Sequence, residues 1–284
     1  MIKLIAVSAL TLFLFSCASK QAAEEKPKTE PKTEAKTDKK DDSKTVEMKP
    51  SGDTKAEPEQ VKSVKYEILD SAIKAGNEDR IKNASIDILQ TNPKDIKALN
   101  ALAMSQFKKG NYEAASIILD KVLSIEPKSA SAYSNLGLIH LVRNEKSEAI
   151  GFFKKALEYD NYNMAAASNL GAIYVKEKDY SKAIVALDNA ADSGKADEGS
   201  MTNYAIALTA TGKAAEAAEI YDKILKKNPS NKNAMLNLAV VYIERLNKFE
   251  EGLDLVNRLK FVGADLESRQ VIKDLETKAK AGLK

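Results

Sequence analysis

Residues 133–160 read YSNLGLIHLVRNEKSEAIGFFKKALEYD, and the spacing of their small and apolar side chains decides the fold. Gly137 and Ala149 are small residues within two stretches whose apolar side chains recur at helical intervals. Large side chains at these places would hold a pair of helices apart, whereas small ones let the helices approach closely. Leu136 is positioned to pack beside them. The stretch therefore predicts a hairpin of two amphipathic helices.

The same arrangement recurs with a period of 34 residues, in units that start at residues 96, 130, 164, 198 and 232. The small residue of the first helix is found at Ala103, Gly137, Gly171, Ala205 and Ala239. That of the second helix is found at Ala115, Ala149, Ala183, Ala217 and, after a one-residue insertion near Leu246-Asn247, Gly252. Turn residues such as Gly110-Asn111-Tyr112 separate the two helices, and Pro127 and Pro229 follow second helices, as prolines do just beyond a helix end. Five units in one register predict a helical array.

These features resemble the tetratricopeptide repeat, and the resemblance covers residues 96–260. It implies an all-α fold, a solenoid in which helical hairpins form a right-handed superhelix, with five repeat units over residues 96–263. The first helix of each pair is then expected to line the concave side. One unit cannot bury its own apolar face, so such an array is held together by contacts between neighbours.

Both ends of the array depart from the pattern. In residues 61–95, Leu69 and Ile81 occupy the small places, which favours a degenerate N-terminal capping repeat. Residues 264–284 are predicted to contain a C-terminal capping helix. Its apolar face consists of Leu266, Val271, Ile272 and Leu275. The third unit ends around Gly194 without a proline, so a looser junction is expected there.

The first residues indicate export and lipidation. Residues 1–16 combine an early positive charge with an apolar run that is too short to cross a bilayer but suits a signal peptide. The run ends in Leu14-Phe15-Ser16-Cys17, which resembles the lipobox of bacterial lipoproteins, with Phe15 bulkier than usual. The resemblance implies cleavage before Cys17 and its acylation, palmitate included. Ala18 and Ser19 follow the cysteine, with no aspartate there, which fits the usual rule for export to an outer membrane and predicts a periplasm-facing outer-membrane protein. The alternative is an ordinary signal peptide followed by a free cysteine.

Residues 17–60 are predicted to be a disordered tether behind the lipidated cysteine. Pro27-Lys28-Thr29-Glu30 recurs as Pro31-Lys32-Thr33-Glu34, and the prolines oppose a helix. Few large apolar side chains are available to offset the entropy of ordering the segment. The tether would let the folded part work away from the bilayer, or it is a passive spacer.

Composition argues against several classes of site. Cys17 and His140 are the only cysteine and the only histidine, so neither a disulfide nor a thiolate or histidine-pair metal site can be built. The formal net charge of +3 is spread along the chain, without the basic stripe of a nucleic-acid binder. No phosphate-binding glycine loop or nucleophile–base pair is recognisable. We therefore expect no metal, no cofactor, no nucleic acid and no enzymatic activity.

One face of the first helices is the candidate partner-binding groove. The sixth place of four successive units is occupied by asparagine: Asn135, Asn169, Asn203 and Asn237. An asparagine amide both donates and accepts, so a row of them can bind the backbone of an extended peptide; alternatively they bond the neighbouring repeat's backbone. Further predicted groove residues are the apolar Met104, Leu138, Ile206 and Val240 and the basic Lys108 and Lys176. The apolar set is alternatively core between the repeats.

These expectations combine into a lipid-anchored scaffold of the cell envelope that binds a peptide or an amphipathic helix of a partner protein. The architecture resembles pilotin lipoproteins of type IV pilus secretins and repeat lipoproteins of gliding-motility and barrel-assembly machineries, which are narrower alternatives. A subunit of a wall-processing enzyme and a purely structural spacer remain further alternatives.

Overall fold

A computed structural model describes residues 59–263 and 268–284, and within these ranges the chain forms thirteen α-helices and no strand. The helices are α1 (Glu59–Ala75), α2 (Glu78–Thr91), α3 (Ile96–Lys108), α4 (Tyr112–Ile125), α5 (Ala130–Val142), α6 (Lys146–Tyr159), α7 (Met164–Lys176), α8 (Tyr180–Asp192), α9 (Glu198–Ala210), α10 (Ala214–Lys227), α11 (Lys232–Glu244), α12 (Phe249–Val262) and α13 (Arg269–Gly282). The predicted signal peptide, Cys17 and the tether up to residue 58 lie outside the described residues. The all-α prediction is confirmed.

Consecutive helices pack as hairpins, and the first helix of each hairpin also packs on the second helix of the one before. The small residues are needed for this approach. A β-carbon at Gly137 would lie 2.7 Å from the Phe153 ring, and one at Gly171 would lie 2.5 Å from Leu187. Both distances are shorter than van der Waals contact, so these first helices approach their partners as closely as the sequence pattern predicts.

The hairpins are closed by local backbone features. Asn144, Lys178 and Asn247 adopt the left-handed conformation in the turns between helices, with φ of 61°, 61° and 52°. Four first helices begin at a side chain that accepts a hydrogen bond from the backbone N–H three residues later: Asp95 from Ala98, Asn163 from Ala166, Asp197 from Ser200 and Asn231 from Ala234. These caps satisfy backbone donors that the helix itself leaves free.

The buried side chains form clusters that span neighbouring hairpins. Ala98 of α3 belongs to the cluster of α1 and α2, and Leu136 of α5 belongs to that of α3 and α4. His140 is a packing residue: its ring stacks on Phe152 at 4.8 Å between centroids, and its Nδ1 lies 2.6 Å from Oε2 of Glu145. Each hairpin is thus stabilised by the next one.

Helix α13 closes the C-terminal end of the array. Ile272 and Leu275 are each 4% exposed and join the cluster of α9 to α12. The helix begins at Arg269, and residues 264–267 of the predicted cap, Leu266 among them, lie outside the described residues. At the other end, Leu69 is fully buried between α1 and α2.

Near Gly194, where the sequence predicts a looser junction, polar side chains tie α7 to α9. The buried Ser200 donates to Oδ2 of Asp197 at 2.6 Å, and its hydroxyl lies within hydrogen-bond distance of the Ser168 hydroxyl. Desolvation acts to raise the pKa of Asp197, but hydrogen bonds from Ser200, Gly199 and Ser168 outweigh it and hold that pKa below its usual value. The start of α9 is thus capped in the same way as those of α3, α7 and α11.

Candidate protein-binding groove

The first helices of successive units lie side by side, with α5 against α7, α7 against α9 and α9 against α11. Residues 34 positions apart therefore form rows across this surface, which we call the first-helix face. The four predicted asparagines form one such row, and each is half-buried: Asn135, Asn169, Asn203 and Asn237. The structure brings together the asparagine row that the sequence predicts.

The four asparagines differ in how much hydrogen-bonding capacity they keep. Asn135 donates to Oδ1 of Asn100 at 3.4 Å, and Asn169 donates to the carbonyl of Ala165 in its own helix at 2.8 Å. Both retain their side-chain carbonyl oxygens as acceptors. Asn203 has no side-chain hydrogen bond to any part of the chain that the structure describes. Asn135, Asn169 and Asn203 thus keep hydrogen-bonding capacity that a ligand could use, and Asn203 keeps the most.

Asn237 is already used in packing. Its side chain hydrogen-bonds the hydroxyl of Tyr221, a fully buried residue of α10. Burial raises the pKa of Tyr221 above its usual value, and the hydrogen bond from Asn237 opposes this only in part. A buried hydroxyl without a partner is costly, so Asn237 serves the contact between α10 and α11. Its bond goes to a neighbouring side chain rather than to a neighbouring backbone.

The predicted apolar residues divide in a similar way. Met104, Leu138 and Val240 are half-buried and keep part of their surface on the first-helix face. Ile206 is only 6% exposed and packs in the cluster that α7 and α8 form with Ala207. It therefore offers almost no surface to a ligand, because α7 and α9 lie close together at this junction.

The two predicted lysines are exposed at the ends of their helices. Lys108 pairs with Oε1 of Glu78 at 2.8 Å, which links α3 to the hairpin before it. Lys176 has no ion pair within the described residues, and it follows Asn169 by two helical turns. Lys176 therefore offers an exposed positive charge at the end of α7, the helix that carries Asn169.

Two further features were sought among the described residues, a group of metal ligands and a helix that could span a membrane. Across residues 59–263 and 268–284, no group of three or more histidine, cysteine, aspartate or glutamate side chains could hold a metal ion. Within the same ranges, none of the helices has both the length and the apolar composition that crossing a membrane requires.

A second concavity, which the repeat pattern does not predict, lies between α6 and α8. The concavity is lined by residues such as Ala186, whose place in the register is occupied by larger residues in the other units. That place is not one of the small places by which the repeat is recognised. A comparison of every place in the register, rather than of the small and apolar places alone, would have found it.

Comparisons with known proteins agree with this architecture. The profile of the tetratricopeptide repeat matches residues 208–271, and that of subunit 3 of the anaphase-promoting complex, or cyclosome, matches residues 108–190. The chain is a tetratricopeptide-repeat protein. No curated protein matches this repeat protein in sequence.

Solved structures show the same fold. The crystal structure of YrrB, a TPR protein with an unusual peptide-binding site, has a TM-score of 0.55 and 23% identity, over 70% of this chain and 98% of YrrB. A MamA structure from AMB-1 has a TM-score of 0.50 and 21% identity, over 62% of this chain and 97% of MamA. PilF of Pseudomonas aeruginosa has a TM-score of 0.49 and 22% identity, over 66% and 90%. At these identities the likeness concerns the fold alone.

Proposed function

We propose that this repeat protein is a lipid-anchored scaffold of the cell envelope, which holds an extended segment of a partner protein on its first-helix face. The observation that carries the proposal is the free hydrogen-bonding capacity of Asn169 and Asn203 in the middle of the asparagine row. A partner held through its backbone is recognised largely irrespective of its side chains, which suits a scaffold. The peptide-binding site of YrrB supports this use of the fold.

The chemistry of the row fits a main-chain ligand. The carbonyl oxygen of Asn169 can accept from a peptide N–H, while the amide of Asn203 can also donate to a peptide carbonyl. Met104 and Leu138 supply apolar surface toward the N-terminal side of the row. Lys176 favours a segment that carries negative charge. The half-buried setting strengthens each of these polar contacts relative to a fully exposed surface.

The envelope location rests on the sequence of the N-terminus. Acylation of Cys17 with two or three chains would anchor the protein stably, where one chain would not. A tether of residues 17–60 gives a root-mean-square reach of roughly 35 Å from the bilayer. The scaffold would then work on the periplasmic side of the outer membrane, without a catalytic role of its own. Pilotin, gliding-motility and barrel-assembly roles are narrower forms of this proposal, and a wall-enzyme subunit is the rival.

The test combines two substitutions on the first-helix face with cross-linking in the native host. The double variant Asn169→Ala, Asn203→Ala is expected to lose its cross-linked envelope partner while its helical circular dichroism stays unchanged. The control is Asn257→Ala, at an exposed asparagine of α12. Equal recovery of the partner with both variants would refute the role of the row. Glycan turnover by the purified protein would favour the enzymatic rival.

Membrane attachment is tested separately. Labelled palmitate is expected to be incorporated into the protein and to be lost in Cys17→Ser. Incorporation that persists in this variant would contradict lipidation at Cys17, whatever the fate of the groove.

A further inference from the structure

A cavity of about 480 Å³ opens between α6 and α8, away from the asparagine row. Leu170 and Tyr174 of α7 form its buried floor, and Leu157 of α6 contributes an apolar wall. Val185 of α8 stands at its edge with 78% of its surface exposed. The volume lies within the range of small-ligand and side-chain pockets, about 300–1,000 Å³. We call this cavity the α6–α8 cleft.

The cleft exists because the third unit has short side chains where the others have long ones. Ala186 lines it, and the same place in the other units holds Ile118, Phe152, Ile220 and Leu255. Asn189 also lines it, and that place in the other units holds Lys121, Lys155, Lys223 and Arg258. In the second unit, Phe152 stacks on His140, the counterpart of Tyr174, with 4.8 Å between the ring centroids, and so occupies the equivalent space. The third unit leaves its surface open.

The charge at the edge of the cleft is also reversed. Lys154 stands where the other units have Asp120, Asp188, Asp222 and Asn257. Lys182 stands where they have Ala114, Glu148, Glu216 and Glu251. Lys154 has no ion pair within the described residues, and no carboxylate lines the cleft. Lys182 pairs with Asp179 and lies 5.7 Å from the Tyr174 ring centroid.

We propose that the α6–α8 cleft is a second docking site, which binds an acidic amphipathic segment of a partner protein. Large apolar side chains of that segment enter the space that Ala186 leaves open, over Leu170 and Tyr174. Carboxylates that flank them lie against Lys154 and Lys182. Apolar contact supplies most of the affinity, and the two lysines select the acidic partner. The protein then has two separate surfaces for two partners.

The experiment measures fluorescence polarisation of a dye-labelled helical peptide, in which two leucines are flanked by glutamates, against the full chain. Ala186→Phe places in the third unit the residue that the second unit carries, and it is expected to weaken binding at least about tenfold. Lys154→Asp with Lys182→Ala, again residues of other units, is expected to weaken binding by a similar factor. The control Lys226→Asp changes an exposed charge of α10 and leaves binding unchanged.

A second peptide, with lysines in place of the glutamates, is expected to bind at least about tenfold more weakly. Equal binding of the two peptides, or no effect of either cleft variant, overturns the proposal. Self-association of the chain that Ala186→Phe abolishes also overturns it, since a second copy is then the occupant. Val46 and Met48 are large apolar residues of the predicted tether. Tighter peptide binding when both are replaced by serine also overturns the proposal, since the chain's own N-terminal segment is then the occupant. Asn169→Ala with Asn203→Ala should leave peptide binding unchanged, which separates this site from the proposed groove.

Discussion

Gly137 and Gly151 lie in the same hairpin and have opposite consequences for stability. A β-carbon at Gly137 would lie 2.7 Å from the ring of Phe153, which is fully buried and has no room to move aside. A β-carbon at Gly151 would meet nothing within 4 Å, because this residue is exposed on α6. The repeat therefore requires a small residue at Gly137 because of packing, whereas no such requirement applies at Gly151.

Gly137→Ala is expected to lower the free energy of unfolding by about 1–3 kcal/mol, since the added methyl group overpacks the contact with Phe153. Gly151→Ala is the matched control and should raise it by about 0.5–1 kcal/mol, because alanine loses less backbone freedom in a helix than glycine does. Urea unfolding of both variants measures the two changes. A stabilising Gly137→Ala would show that α5 and α6 are farther apart than described.

Asp197 makes stability depend on pH in a defined direction. Its pKa is lowered in the folded protein, so its contribution is present above the unfolded value of about 3.9 and is lost as the pH falls through the folded value. Asp197→Asn is expected to reduce the loss of stability below about pH 4. Asp120→Asn, an exposed change on α4, serves as the control. Unchanged acid sensitivity of Asp197→Asn in thermal unfolding would contradict this account.

At the scale of elements, α13 has the role that an end cap requires. Ile272 and Leu275 of α13 cover the apolar surface of α11 and α12. Outside this contact, Glu276 links α12 to α13 through Lys260 at 2.7 Å. Hydrogen bonds from Lys260 and Lys280 lower the pKa of Glu276 to about 2. The ion pairs are exposed, so the apolar contact is what holds the cap.

Leu275→Ala is expected to lower the free energy of unfolding by about 2–5 kcal/mol, through lost burial and the cavity left behind. Lys273→Ala, at an exposed position of the same helix, should change it by less than about 0.5 kcal/mol. Chemical denaturation compares the two variants. Equal stabilities would mean that the C-terminal hairpin does not depend on α13.

At the scale of the whole molecule, the sequence predicts the features that recur in every repeat unit. It does not predict the contacts that depend on residues found in one unit alone. The helical hairpins, the close approach at Gly137 and the asparagine row all follow from recurrence at 34 residues. The hydrogen bond of Asn237 depends on the buried Tyr221, and the burial of Ile206 depends on how closely α7 approaches α9. The repeat pattern predicts neither contact. Such contacts join residues in different units, and no periodic pattern encodes them.

The α6–α8 cleft is a feature that a single unit changes, and the repeat pattern does not predict it. Its cause, the short Ala186 and Asn189, is visible in the sequence, but only when each place is compared across all five units. A search for the family pattern looks for what the units share. Most shared apolar places are occupied by the packing that holds the array together, so a surface that belongs to one unit is found where that unit differs from the others.

Because clusters of buried side chains join only neighbouring hairpins, damage at one end should not reach the other. Leu69→Ala removes a fully buried side chain from the core of α1 and α2 and is expected to speed amide hydrogen exchange in α1, α2 and α3. Leu275→Ala should instead speed exchange in α11, α12 and α13, with α1 to α3 as protected as in the unaltered protein. Mass spectrometry of peptides from both variants gives the comparison, each variant serving as the control for the other. If amide exchange became faster along the whole chain in either variant, the array would unfold as a single cooperative unit. The account in which each hairpin is stabilised mainly by its neighbours would then be contradicted.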